Sequence, residues 1–119
     1  MASPPSSPLA PPLIGRLTLI AERLLPALAH VSKTHRMTVA HTTWVSLHQT
    51  TVAVFAAVTE ADNAAHRIAA SAAFDTFKWN LRLMEQQRLL SPGWSAAISG
   101  DLAAVGKMIG GMVRKTRVF

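Results

Sequence analysis

An all-α fold follows from three features of the sequence. Residues 27–91 contain neither Gly nor Pro, although the chain has six glycines and seven prolines. A span of that length without a helix breaker is typical of helices. Apolar residues recur at helical spacing, and no alternating runs predict strands. With 119 residues the chain makes one domain at most.

Residues 1–12, MASPPSSPLAPP, are predicted to form a Pro-rich N-terminal arm. They hold five of the seven prolines and no charged side chain. Proline fixes φ and removes a hydrogen-bond donor, which favours an extended or polyproline-like chain. The segment also lacks the basic region with which a secretory signal begins.

Residues 13–31 are predicted to form an amphipathic helix. Six bulky residues fall on one face at i, i+4 and i+7 spacings. They are Leu13, Leu17, Ile20, Leu24, Leu28 and Val31. Pro26 predicts a kink or a boundary near Leu25. Arg16 and Arg23 share another face, so the helix could lie on a membrane surface, but packing on a neighbouring helix is the favoured interpretation.

Residues 34–91 are predicted to form one long helix or a helical hairpin. A heptad-like stripe of apolar and small residues begins at Met37 and shifts at Phe74. A break is expected near Asp62 or Asp75, where Asp or a preceding Thr could cap a second helix. Because one stripe must be buried on something, we expect other chains or lipid to cover it.

Residues 37–59 are the candidate membrane span within this region. They lack Asp, Glu, Lys and Arg, and 23 helical residues rise roughly 34 Å, enough to cross a hydrocarbon core of about 30 Å. Only 13 of the 23 are apolar, however, and His41, His48 and Gln49 would need to face a partner helix. The alternative is a helix in a soluble bundle. Charged residues stop directly at both ends of the run, and this sharp boundary slightly favours the span.

Residues 92–119 are predicted to form a helix rich in small residues, followed by a basic tail. The Ser-Pro-Gly sequence at 91–93 marks the end of the preceding helix. Gly106 and Gly110 form a GxxxG pattern, which allows two helices to approach closely. An Asp and a Lys inside the segment disfavour a membrane span there.

The charge distribution limits the classes of partner. The net charge is +6, made up of +3 over residues 1–58, zero over residues 59–91 and +3 over residues 92–119. Such a chain attracts anionic lipid, nucleic acid or an acidic protein.

No catalytic, metal or cofactor site is predicted, so an enzyme is not expected. Cys is absent, which excludes a thiolate nucleophile and cysteine metal sites. Four histidines, at 30, 41, 48 and 66, would share a face of one unbroken helix, but His41 and His48 would lie about 10 Å apart and cannot share an ion. Asp62 and His66 are spaced for a structural hydrogen bond and have no nucleophile beside them.

A basic cluster with interleaved aromatic residues has two interpretations. It comprises Phe77, Lys78, Trp79, Arg82 and Arg88. Phosphate binding with base stacking is one. A solvated helix face, in which Glu85 pairs with its basic neighbours, is the other and is favoured.

The sequence favours a structural accessory subunit of an energy-transducing membrane complex, expected in the mitochondrial inner membrane (respiratory chain or ATP synthase). Its partners would be other subunits and anionic lipid. The alternative is a soluble basic helical module bound to nucleic acid, such as a ribosome-associated protein. The residues expected to contact partners or lipid are His41, Trp44, His48, Phe55, Trp79, Trp94, Gly106, Gly110, Arg114, Lys115 and Arg117.

Overall fold

The computed structural model describes residues 10–116, and this part of the chain is all-α, as predicted, with no strand. Its elements are α1 (Ala10–Ala29), α2 (Lys33–His35), a π-helical segment (Arg36–Ala40), α3 (His41–Thr59), α4 (Ala64–Gln86) and α5 (Pro92–Thr116). Most of the predicted arm and Arg117 of the predicted tail lie outside the described residues.

The four long helices form an up-down-up-down antiparallel bundle. α3 packs on α4, α4 on α5, and α1 on both α5 and α3. The antiparallel direction is visible on α1 and α5, where Arg16 pairs with Asp101 and the Arg23 carbonyl meets Trp94. The stripe predicted to need other chains is therefore covered largely by the chain itself, because α1 and α5 complete a common core that the stripe alone could not indicate.

α1 buries Leu13, Leu17, Ile20 and Leu24 of the predicted apolar face. Leu28 is partly buried, and Val31 is buried just after the helix ends. Its start differs from the prediction, because Ala10–Pro12 belong to the helix and not to the arm. Prolines in the first turn cost no hydrogen bond, since those N–H groups have no helical partner anyway. The boundary expected near Leu25 is also absent, and the helix continues to Ala29. Pro26 removes a single helical bond close to the end of the helix.

The predicted long helix is a hairpin, broken between Thr59 and Ala64 as expected near Asp62. Asn63 is the N-cap of α4, and its Oδ1 accepts a hydrogen bond from the Ala65 N–H at 3.0 Å. The predicted caps at Thr59, Asp62 and Asp75 are therefore wrong. Asn63 is the cap instead, because it is the last extended residue before the helix. From that position a short side chain can reach an unpaired backbone N–H.

Helical spacing predicted that His66 would pair with Asp62, but it pairs with Glu60. The His66 Nε2 lies 2.9 Å from the Glu60 Oε2. Asp62 lies in the turn, outside any helix, so the i, i+4 relation does not bring it to His66.

α4 ends in a Schellman motif. The Leu89 N–H donates to the Met84 carbonyl at 2.9 Å, and the Arg88 N–H donates to the Glu85 carbonyl at 3.0 Å. Arg88 takes the left-handed position of this motif, with φ of 59°. The predicted start of a new helix at 91–93 is confirmed, because α5 begins at Pro92 and the Ser91 Oγ accepts from the Trp94 N–H at 3.1 Å. The preceding helix was predicted to reach Ser91, but it ends at Gln86, where the Schellman motif stops it.

One helix in the described part of the chain, over Pro92–Lys115, is long and apolar enough to cross a membrane by length and composition, which is weak evidence for a span. The span predicted at 37–59 is not such a helix. Its Thr, Ser, His and Gln side chains lower its hydropathy too far, although it carries no charge.

Candidate functional site

Arg36, the first residue of the π-helical segment, is exposed and donates to carbonyls at the end of α1. From Met37 to Phe55, the exposed side of this segment and of α3 carries no Asp, Glu, Lys or Arg. We call this surface the α3 face. Its exposed residues are Met37, Thr38, His41, Thr42, His48, Gln49, Val52 and Phe55. It extends roughly 27 Å from Met37 to Phe55 at the helical rise of 1.5 Å per residue.

The other long helices differ from α3 in this respect. Each of them exposes charged side chains on its outer side within the described residues. These are Arg16, Glu22 and Arg23 on α1, Asp75, Lys78, Arg82 and Glu85 on α4, and Lys107, Arg114 and Lys115 on α5. The lack of charge is therefore a property of one surface and not of the whole bundle.

α3 exposes bulky apolar residues and buries hydroxyl groups. Val52 is 55% and Phe55 47% exposed, whereas Thr43 and Thr50 are fully buried and Ser46 is 3% exposed. A helix on the surface of a globular protein ordinarily has the reverse arrangement. Bulky apolar residues exposed on a surface that carries no charge indicate a candidate binding surface.

The buried hydroxyls of α3 are all hydrogen-bonded. Thr43 and Thr50 donate to the carbonyls of Val39 and Ser46, at 2.7 and 2.8 Å. The Ser46 Oγ donates to the Thr43 carbonyl at 2.8 Å and accepts from the Asn80 Nδ2 of α4 at 3.0 Å. Because these groups are satisfied, their burial costs little. α3 can therefore pack on α4 through small polar side chains and leave Val52 and Phe55 outside.

The π-helical segment adds Met37 to the α3 face. The stripe predicted for a regular helix placed Met37 on the buried side, with Ala40 and Leu47. Ala40 and Leu47 are buried as predicted, but Met37 is 77% exposed. A π-helical turn contains more residues than an α-helical turn, so it rotates the preceding residues away from the stripe.

Three of the predicted contact residues, His41, His48 and Phe55, lie together on the α3 face. Trp44 is partly buried on the same helix, against the chain's own core. Trp79 is 61% exposed, on α4. Trp94 lies at the start of α5, where its indole N–H donates to the Arg23 carbonyl at 2.9 Å.

The small and basic residues predicted on α5 do not form one surface. A Cβ at Gly106 would lie 3.5 Å from the Phe74 ring, so Gly106 lies at the contact between α5 and α4. Gly110 lies beside the Arg114 guanidinium of its own helix. Arg114 and Lys115 are exposed in the last turn, where cations complement the helix dipole.

The histidines do not line up on one face, because the chain turns between them. His30 follows α1, His41 and His48 lie on α3, and His66 lies on α4. Among residues 10–116, no group of three His, Cys, Asp or Glu side chains could hold a metal ion.

The basic cluster on α4 is divided between core and solvent. Phe77 is fully buried and cannot stack on a base. The Lys78 Nζ lies 5.0 Å from the centre of the Phe74 ring and 3.5 Å from an oxygen of Asp75. The ion pairs predicted for Glu85 do not form in the described structure.

Met37 and Val52 belong to the α3 face but were not singled out from the sequence. A signal was available, since both lie in the uncharged run and Val52 is four residues from His48 and three from Phe55. Comparisons with protein-family models, with curated proteins and with solved structures gave no match.

Proposed function

We propose that this chain is a non-catalytic accessory subunit that docks through its α3 face onto another protein. The observation that supports this most directly is the combination of exposed Val52 and Phe55 with the lack of charge along the whole face. Interface centres are depleted in charge and enriched in aromatic residues and Met. The fold serves as a rigid support that holds this face open to a partner.

The occupant we propose is an uncharged helix face of another protein. Lipid tails offer no hydrogen-bond partner to His41, His48 and Gln49, and unsatisfied polar groups are costly in hydrocarbon. Nucleic acid binding depends on cations that meet phosphates, and this face has no Lys or Arg. A protein helix can supply both apolar contacts and hydrogen bonds.

For the host we propose a multisubunit energy-transducing membrane complex of the mitochondrial inner membrane, as the sequence suggested. Its support is the sequence profile: a small, basic, helical chain with an uncharged run of marginal hydropathy. We propose that attachment is peripheral, because α3 is one wall of a bundle whose core the chain itself completes.

The docking proposal can be tested with a charge-insertion variant. Val52→Lys with Phe55→Lys should remove the chain from its large assembly on a native gel of detergent-solubilised membranes, by about tenfold or more, because a buried unpaired charge costs several kcal/mol. The matched control is Leu19→Lys with Leu25→Lys, which places two lysines at exposed apolar positions of α1, 43% and 53% exposed. The control should assemble like the natural chain.

Equal assembly of both variants would rule out the α3 face. Alkaline carbonate treatment of membranes should release the natural chain, whereas retention in the pellet would contradict peripheral attachment. Release by ribonuclease alone would contradict the protein partner and favour the nucleic acid alternative.

A further inference from the structure

A second candidate site lies at the end of the bundle where α1 finishes and α5 begins. Here the end of α1, the α4–α5 turn and the first turn of α5 enclose a cleft of about 400 Å³. Small-molecule sites in proteins occupy about 300–1,000 Å³, so the cleft suits a small ligand.

The walls of this cleft are apolar and fixed. Leu90 is 6% exposed and belongs to the core, and Leu89 and Trp94 pack against that core. The hydrogen bond from the Trp94 indole to the Arg23 carbonyl sets the orientation of the ring. A ligand with a compact apolar part would therefore meet a preformed surface.

The polar side chains of the cleft are His30, Arg88 and Ser91, and the Ser91 Oγ already accepts from the Trp94 N–H. The His30 Nδ1 donates to the Pro26 carbonyl at 2.7 Å, which leaves Nε2 as the nitrogen available to a ligand. Arg88 makes no hydrogen bond or ion pair through its side chain within residues 10–116. The chain segments at this end of the bundle, residues 30–36 and 87–91, contain no Asp or Glu.

A structural role at the end of α1 already belongs to another arginine. Arg36 donates to the carbonyls of Ala29 and Val31, at 3.4 and 3.2 Å. The Ala27 carbonyl accepts from the His30 N–H at 3.3 Å. The carbonyls at the end of α1 are thus satisfied without Arg88, whose charge remains available for something else.

The backbone conformation at position 88 makes an arginine there unexpected. It occupies the left-handed position of the Schellman motif, with φ of 59°. Gly is the usual residue there, because a side chain at positive φ is strained. Strain of this kind at a cleft is a reason to look for a role of the side chain.

We propose that this cleft binds a small amphiphilic anion. Arg88 and His30 hold its phosphate or carboxylate group, and Leu89, Leu90 and Trp94 hold a ring or a short chain. An arginine fork matches either oxyanion. This proposal uses a different surface from the α3 face and does not depend on docking.

The probe for the test is phenyl phosphate, followed through the indole N–H signal of Trp94 in an NMR titration, with Trp94→Phe to assign the signal. Phenyl phosphate should bind at least about tenfold tighter than inorganic phosphate or phenol, because each of these fills only half of the cleft. Equal affinity for inorganic phosphate, or no saturable shift with phenyl phosphate at millimolar concentration, would overturn the proposal.

The decisive variant is Arg88→Gly, because it separates binding from folding. Gly relieves the positive φ, so the thermal midpoint should stay equal or rise, while affinity for phenyl phosphate should fall about tenfold or more with the loss of a charge-assisted hydrogen bond. Arg88→Lys should retain part of the affinity. The matched control is Arg82→Gly, which removes an equal charge outside the cleft and should leave affinity unchanged even though it weakens α4. Unchanged binding in Arg88→Gly would refute the site.

Vesicle flotation distinguishes the two possible sources of such an anion, a lipid headgroup and a soluble small molecule. If neutral vesicles doped with phosphatidic acid carry the natural chain in flotation but not Arg88→Gly, the anion is a lipid headgroup. If flotation is absent while phenyl phosphate binds, the ligand is soluble. Flotation that is equal for both chains would show that the lipid contact does not use this cleft.

Discussion

Glu60 holds the α3–α4 turn through its carboxylate. It accepts hydrogen bonds from the His66 Nε2 at 2.9 Å and from the Asn63 Nδ2 at 3.5 Å. The hydrogen bond from His66, then that from Asn63, then the charge of His66 lower the pKa of Glu60 below its ordinary value of 4.5. The ionised carboxylate is therefore favoured more in the folded chain than in the unfolded one.

This shift gives a pH dependence with a definite sign. A lowered folded pKa adds stability that is complete above the unfolded value and disappears as pH falls through the folded value. The free energy of unfolding of the natural chain should therefore exceed that of Glu60→Gln above pH 4.5, and the difference should shrink as the pH is lowered further. Urea unfolding at a series of pH values measures it. A difference that grows below pH 4.5 would contradict the assignment.

The same turn shows what single residues reveal in the sequence. A break near Asp62 could be predicted, because Asp and Asn concentrate there in a span without Gly or Pro. The partner of His66 could not, because helical spacing pairs it with Asp62 and the turn is not helical. Which acid reaches a side chain across a turn depends on backbone angles that the residue types do not fix.

At the scale of helices, the contact between α3 and α4 includes a buried hydrogen bond between the Ser46 hydroxyl and the Asn80 amide. Ser46 supplies the acceptor for the buried Asn80 amide, whereas Thr50 bonds only to its own helix. Ser46→Ala should lower the free energy of unfolding by about 1–3 kcal/mol, the cost of an unsatisfied buried donor. Thermal and urea unfolding measure this change.

Thr50→Val is the matched control for that variant. It keeps the shape of the side chain and leaves no buried group unpaired, so its effect should be clearly smaller. Equal losses in the two variants would show that the Asn80 bond is not what holds the contact.

This contact also explains why the sequence did not settle which side of α3 faces the core. Apolar residues lie nearly all round the helix, and the Thr and Ser hydroxyls read as polar although they bond back to their own backbone. The stripe was right at Ala40, Leu47, Val54 and Val58. It was wrong at Met37, because residue types gave no sign of the π-helical turn. It was also wrong at Ile68, which is 53% exposed on α4, because the stripe assumed one helix that continued through the turn.

At the scale of the whole molecule, the helices could be predicted from the sequence, but their packing into a closed bundle could not. Breakers and apolar spacing locate α1, the hairpin and α5 to within a few residues. The bundle is completed by the packing of α1 on α5, two helices at opposite ends of the described chain. Arg16 and Asp101 are 85 positions apart, and nothing in the spacing of either helix points to the other. The sequence therefore suggested a chain in need of partners.

The Arg16–Asp101 pair, with an N–O distance of 2.6 Å, also has a consequence for the order of folding. Contacts between adjacent helices form early because they close short loops, whereas this pair must wait for the ends of the chain to meet. We expect a transition state with α3 on α4 in place and α1 still loose. Asp101→Asn should then speed unfolding about ten- to hundredfold, the rate equivalent of a charged hydrogen bond, and hardly change the refolding rate. Stopped-flow refolding and unfolding measure both rates. If refolding were slowed by a factor as large as that expected for unfolding, the contact between α1 and α5 would already be formed in the transition state.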